Sequence, residues 1–172
     1  MYKVNQVVSY GSQGVYKISE IADKNITGKI IKYYVLKSVK GNNSIVYVPV
    51  DNEKLVSRIR PVLTAEEVHE IINEMPNEEI SWIDNDDERK NKFREVLSQS
   101  NPLELAKMIR TIYYHRRELT ANGKKLHSSD ERFFNDAERV LYNEFSIALK
   151  ISSDSVESFI IEQIGEDETA DT

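Results

Sequence analysis

The sequence predicts an α+β fold in two parts: a small β-barrel of about five strands over residues 1–62, then an all-α domain of about five helices over residues 63–164. Three observations carry that prediction. Apolar residues alternate in a strand-like way as far as Val62 and recur at three- and four-residue steps beyond Thr64. Turn residues punctuate the first part, whereas helix-cap signatures punctuate the second. The charge changes with the pattern: residues 1–60 hold ten lysines and arginines against four acids, and residues 61–88 hold ten acids and no lysine or arginine.

The strands follow in order. Gln6 to Tyr10 is a short apolar run closed by Gly11, and Gly11-Ser-Gln-Gly14 reads as a hairpin turn. Val15 to Ile21 alternates with period two, and Ile30 to Val39 carries two tyrosines among β-branched residues. Gly41-Asn42-Asn43 signals a turn, with Ser44 to Val48 as the partner strand. Pro49 ends that strand because it has no amide to give a ladder. Arg58 to Val62 closes the module as a fifth strand.

Helices follow. Thr64-Ala-Glu-Glu67 is a capping box that starts a short helix to about Glu74. Met75-Pro76-Asn77 breaks it, and a polar loop holding Trp82, the chain's one tryptophan, runs to Asn85. A second helix spans Asp86 to Gln99. Asn101 caps a third, with Pro102 at its first position, where a missing amide costs little. Ser128-Ser-Asp-Glu131 reads as a second capping box, before a long helix with Phe134, Ala137, Leu141, Phe145 and Ala148 inward. Ser153 to Ile164 is a last short helix. Residues 165–172 form an acidic tail expected to be disordered.

Composition narrows the function classes. There is no cysteine, which excludes disulfides and thiolate metal sites. No signal-peptide pattern opens the chain and no apolar run approaches a membrane span, so a cytoplasmic protein is expected. His69, His115 and His127 have no metal-ligand spacing, and Asp84, Asp86, Asp87 and Glu88 lack the glycine and loop length of a calcium hand. Those acids read instead as a helix N-terminus favoured by the macrodipole. The expectation is a protein with no catalytic residue, metal, cofactor or small-molecule substrate.

Two features point to binding. Arg89, Lys90, Lys92 and Arg94 lie on one helix, Arg116 and Arg117 close the next, Lys124 and Lys125 occupy a loop, and Arg132 opens the fourth. If these ends converge they make a phosphate-contacting patch. Trp82, in its polar loop, is either a half-buried lid on the core or a wedge for an unpaired base step. Glu78, Glu79, Asp84, Asp86 and Asp87 around it repel phosphates.

From residue 2 to about 164 the chain resembles the CarD/CdnL-type bacterial transcription regulators. The resemblance rests on Tyr2-Lys3-Val4, Val7 to Tyr10, Gln13-Gly14-Val15, Tyr34 to Lys37 and Val46 to Pro49. It continues through Ser81-Trp82, Asp87 to Phe93, Gly123 to Leu126 and Ser129 to Phe133. It implies a Tudor-like first module that docks on the β subunit of RNA polymerase. It also implies a helical domain contacting promoter DNA at the upstream edge of the transcription bubble, with Trp82 as the minor-groove wedge. By the same resemblance Arg89, Lys90 and Arg132 take basic positions on DNA. Lys24 and Tyr47, with Val46 and Pro49 beside them, take polymerase-contacting positions, though Tyr47 is uncharged where relatives often carry arginine. The protein is then a monomeric regulator with no enzymatic activity. The competing expectation is an adaptor that binds polymerase or another protein and never touches DNA.

Overall fold

The structure is a computed structural model, and it describes residues 1–40, 43–77 and 81–165. The expected Gly41-Asn42 turn, Glu78, Glu79 and the tail 166–172 lie outside the described residues. The chain folds as two compact units, Met1–Val62 and Leu63–Thr172.

The first unit is a five-stranded antiparallel sheet. Its strands are β1 (Val7–Tyr10), β2 (Val15–Asn25), β3 (Ile30–Ser38), β4 (Ile45–Pro49) and β5 (Ile59–Pro61). The order β4-β3-β2-β1-β5 leaves β4 and β5 as the two ladder edges. β1 turns into β2 at Gly11, whose φ of +49 is one that side chains rarely adopt. A register shift between Ile18 and Glu20 bends the long β2, the usual effect of an extra residue in one strand. A one-turn helix, α1 (Glu53–Val56), bridges β4 and β5. Asn52 caps it by accepting from the Leu55 amide. One face of the sheet buries Val8, Tyr10, Tyr16, Ile18, Tyr34, Leu36, Val48 and Ile59.

The second unit contains α2 (Ala65–Glu74), α3 (Asp86–Gln99), α4 (Pro102–Ala121), α5 (Ser128–Leu149) and α6 (Val156–Ile164). A 3-10 turn, Ser153–Ser155, leads into α6. Thr64 caps α2 in the expected box: its side chain accepts from the Glu67 amide, and Glu67 accepts from the Thr64 amide at 2.8 Å. Asn101 caps α4 through the Leu103 and Glu104 amides. The second expected box is absent. The cap position of α5 is His127, without a side-chain cap bond, and Ser128 is already helical. Asp130 and Glu131 face other helices instead, as described below.

Val68, Ile72, Leu105, Ile112, Leu141 and Phe145 form the fully buried centre of this unit. Each such side chain contributes about 1.5–3 kcal/mol by leaving water. Among them sits Glu144, 2% exposed, whose carboxylate accepts from the Leu63 amide at 3.0 Å. Thr64→Ala removes one half of the α2 cap. It is expected to cost about 1 kcal/mol in urea denaturation, without changing the helical content of the rest.

Candidate nucleic-acid interface and docking face

Trp82 follows the undescribed residues 78–80 and precedes α3, and its ring is half-buried. It stacks on His115 of α4, with centroids 3.6 Å apart and planes 11° from parallel. The Arg89 guanidinium carbon lies 4.6 Å from its centre, and Phe93 meets it at 6.3 Å and 63°. Trp82 packs against the core and is half-buried. Its orientation is held by three neighbours on two helices.

Arg89 is the key to that frame, and its placement corrects the expectation that it reaches DNA. Arg89 occupies the inward stripe of α3 with Phe93 and Val96 and is 2% exposed. Its Nε and Nη2 donate to the two oxygens of Asp130 on α5, both at 3.0 Å, in the bidentate fork that suits a guanidinium. Nη1 donates to the Ile83 carbonyl at 2.8 Å, and Nη2 also donates to Asp86. Burial opposes the charge on Arg89, but the hydrogen bonds to Asp130 and Asp86 outweigh it and hold the pKa above the ordinary arginine value. With these donors engaged inside the protein, the side chain has no fork left for phosphate. It fastens the Trp82 segment to α3 and α5.

The acidic run beside Trp82 is largely accounted for by the same frame. Asn85 caps α3 by accepting from the Asp87 and Glu88 amides, and the acids follow in the first turn, where the helix dipole favours them. The hydrogen bond from Arg89 pulls the Asp86 carboxyl below its usual range, with smaller attractions from Lys90 and His127.

The remaining cations divide into two groups. Lys90 lies 3.9 Å from Asp86 with its side chain 29% exposed, while Lys92, Lys124, Lys125 and Arg132 are exposed. Arg116 is half-buried. It donates to Glu131 at 3.4 Å, and its guanidinium lies 4.4 Å from the Phe134 ring centre. Arg117 packs over Tyr113 at 5.9 Å. The Arg89–Asp130 and Arg116–Glu131 pairs bring the starts of α3 and α5 and the C-terminal half of α4 together around Trp82.

In the first unit the register settles which side chains share a face. Lys24 pairs with Ile31, Tyr33 with Ala22 and Pro49, and Val35 with Glu20 and Tyr47. Directly opposed residues point the same way, so Lys24, Tyr33, Val35, Tyr47 and Pro49 lie on one face of the sheet. Tyr47 is 43% exposed and meets Tyr33 edge-on at 6.2 Å, and Lys24 pairs with Glu20 at 3.1 Å. Val46 departs from the expectation. It sits between Ile45 and Tyr47 in a strand whose side chains alternate, so it points to the opposite side and packs on the core.

The sequence reading missed Asp130 and His115 as partners of this frame, although both left a signal. Asp130 is in phase with Phe134, Ala137 and Leu141, and Arg89 with Phe93 and Val96, so each ion falls on an apolar stripe. Ions at such positions are buried and need an opposite partner. His115 likewise follows Met108 and Ile112.

Comparison with known families agrees with this division. A family model described as the CarD-like/TRCF RID domain matches residues 2–62, and one described as the CarD C-terminal domain matches residues 67–161. A search of curated proteins returns no match. The two models cover both folded units in order, and the chain belongs to the CarD family of RNA polymerase-binding transcription regulators.

Proposed function

We propose that the sheet unit docks on the β subunit of RNA polymerase and that the helical unit stabilises the open promoter complex, with Trp82 as a wedge at the upstream edge of the bubble. The observation that carries this reading is the state of Trp82: a half-exposed aromatic whose orientation is set in advance by His115 and the Arg89 clip. A ring already fixed loses little conformational freedom on insertion, so more of its stacking energy remains as affinity. Exposed Lys92, Lys124, Lys125 and Arg132, with half-buried Lys90, are the cations assigned to phosphate. Arg89 positions the wedge, and Arg116 and Arg117, packed on aromatic rings, contribute to the local field.

A weak DNA contact is sufficient here. Docking on polymerase raises the local concentration of the helical unit to roughly the millimolar range. A wedge that binds open promoter more tightly than closed promoter then shifts the equilibrium by that difference alone. The experiment is a competitor challenge of polymerase–promoter complexes with and without the protein. The half-life of the open complex is expected to lengthen when the protein is present; an unchanged half-life refutes the reading.

Tyr47 is the residue assigned to the polymerase surface. Exposed tyrosines are frequent interface anchors, and Tyr47→Ala is expected to weaken binding to the isolated β subunit about tenfold, near 1.4 kcal/mol. The substitution removes an exposed side chain, so the thermal unfolding of the full chain should be close to that of wild type. Titration of both proteins against the β subunit checks the claim.

A further inference from the structure

A cavity of about 290 Å³ opens beside the Trp82 segment, between α3 and α4. Ser81 and Ile83, on either side of Trp82, form one wall. Phe93, Val96 and Met108 make the rest of its apolar lining. Lys92, Lys107 and Glu104 also line it, Lys107 paired with Glu104 at 3.3 Å. Phe93 is shared: its ring lines the cavity and also meets Trp82 at 6.3 Å. The cavity is thus one ring's width from the proposed wedge.

We propose that this cavity receives a nucleobase of the promoter DNA, the one that Trp82 unstacks. The inference rests on the wedge reading and adds to it a destination for the displaced base. The volume lies just under the roughly 300 Å³ at which small-molecule sites begin, which suits one base rather than a whole nucleoside polyphosphate. Apolar and aromatic walls suit the faces of a base. Lysines suit the phosphate that must follow a base out of the stack. Extrusion of a base is costly and is least costly where pairing is already broken, as at the edge of a bubble. A built receptacle at that edge lowers the cost selectively for the open state.

The test uses full-length protein, polymerase and promoters carrying a single abasic site at successive positions of the upstream edge. Open-complex lifetimes are measured with wild type, Trp82→Ala and Val96→Phe, the last filling the cavity from α3. Thr111→Phe fills it from α4 and serves if Val96→Phe lowers thermal stability. With wild type, one abasic position is expected to shorten the lifetime about fivefold, near 1 kcal/mol. With the filled variant the lifetime on intact promoter falls by a similar factor, and the abasic site has no further effect. If Trp82→Ala shortens the lifetime while filling and abasic sites change nothing at any position, the receptacle is overturned and the wedge stands. If Trp82→Ala also changes nothing, the wedge reading falls and the receptacle with it.

Discussion

Asp130→Ala is expected to destabilise the helical unit by about 3–5 kcal/mol, the loss seen when one partner of a buried ion pair is removed. Asp130 is 0% exposed and takes both fork donors of Arg89, which is itself 2% exposed. Truncation leaves a guanidinium buried against a void, with Asp86 as its remaining carboxylate partner. Because Arg89 also holds the Ile83 carbonyl and lies over Trp82, the damage should reach the wedge. Trp82 is the one tryptophan in the chain, so its emission reports this site without labelling. Urea denaturation followed by far-UV circular dichroism should show the lost stability. The folded-state emission should move to longer wavelength as the ring gains water. Asp130→Asn keeps the volume and one acceptor and should lose less. A loss below about 1 kcal/mol for Asp130→Ala would place the pair among interactions of surface strength and contradict the clip.

Trp82→Ala is expected to shorten the open-complex lifetime about tenfold, equivalent to 1.4 kcal/mol of differential binding. Loss of one base–aromatic stack is worth about 1–3 kcal/mol, which sets that scale. Binding to the polymerase β subunit should be unchanged, because Tyr47 and Lys24 belong to the other compact unit. Folding should survive: the ring is only half-buried, and Phe93, Val96 and Leu105 keep the core beneath it. Trp82→Phe retains an aromatic face and should recover part of the lifetime. A lost lifetime with an unchanged urea midpoint separates a wedge from a structural lid, whose removal would lower both.

Much of the fold was legible because it is written locally. The Thr64 box, the Asn101-Pro102 start and the Asp86–Gln99 helix each rest on neighbours within one turn, and the structure has each in place. The failures occur where tertiary contacts win. Ser128 to Glu131 has the spacing of a capping box, but the cap falls on His127, while Asp130 bonds Arg89 and Glu131 bonds Arg116 across helices. The α1 turn, Glu53–Val56, is too short to show a period. At the site, Trp82 stood out by its type and setting. Arg89 was misassigned because a run of basic residues hides which of them lies on the apolar stripe. Val46 faces the core side, because a strand neighbour of an exposed residue faces the other way.

The most direct measurement of the central claim is photo-crosslinking with p-benzoylphenylalanine at position 82, in complexes of full-length protein, polymerase and promoter DNA. The wedge account predicts a crosslink to DNA at the upstream edge of the bubble that depends on promoter opening. The same label at Ile26, exposed in the first unit, should give none. Crosslinks from position 82 to protein alone, with the open complex fully formed, would contradict the account and leave an adaptor that never touches DNA.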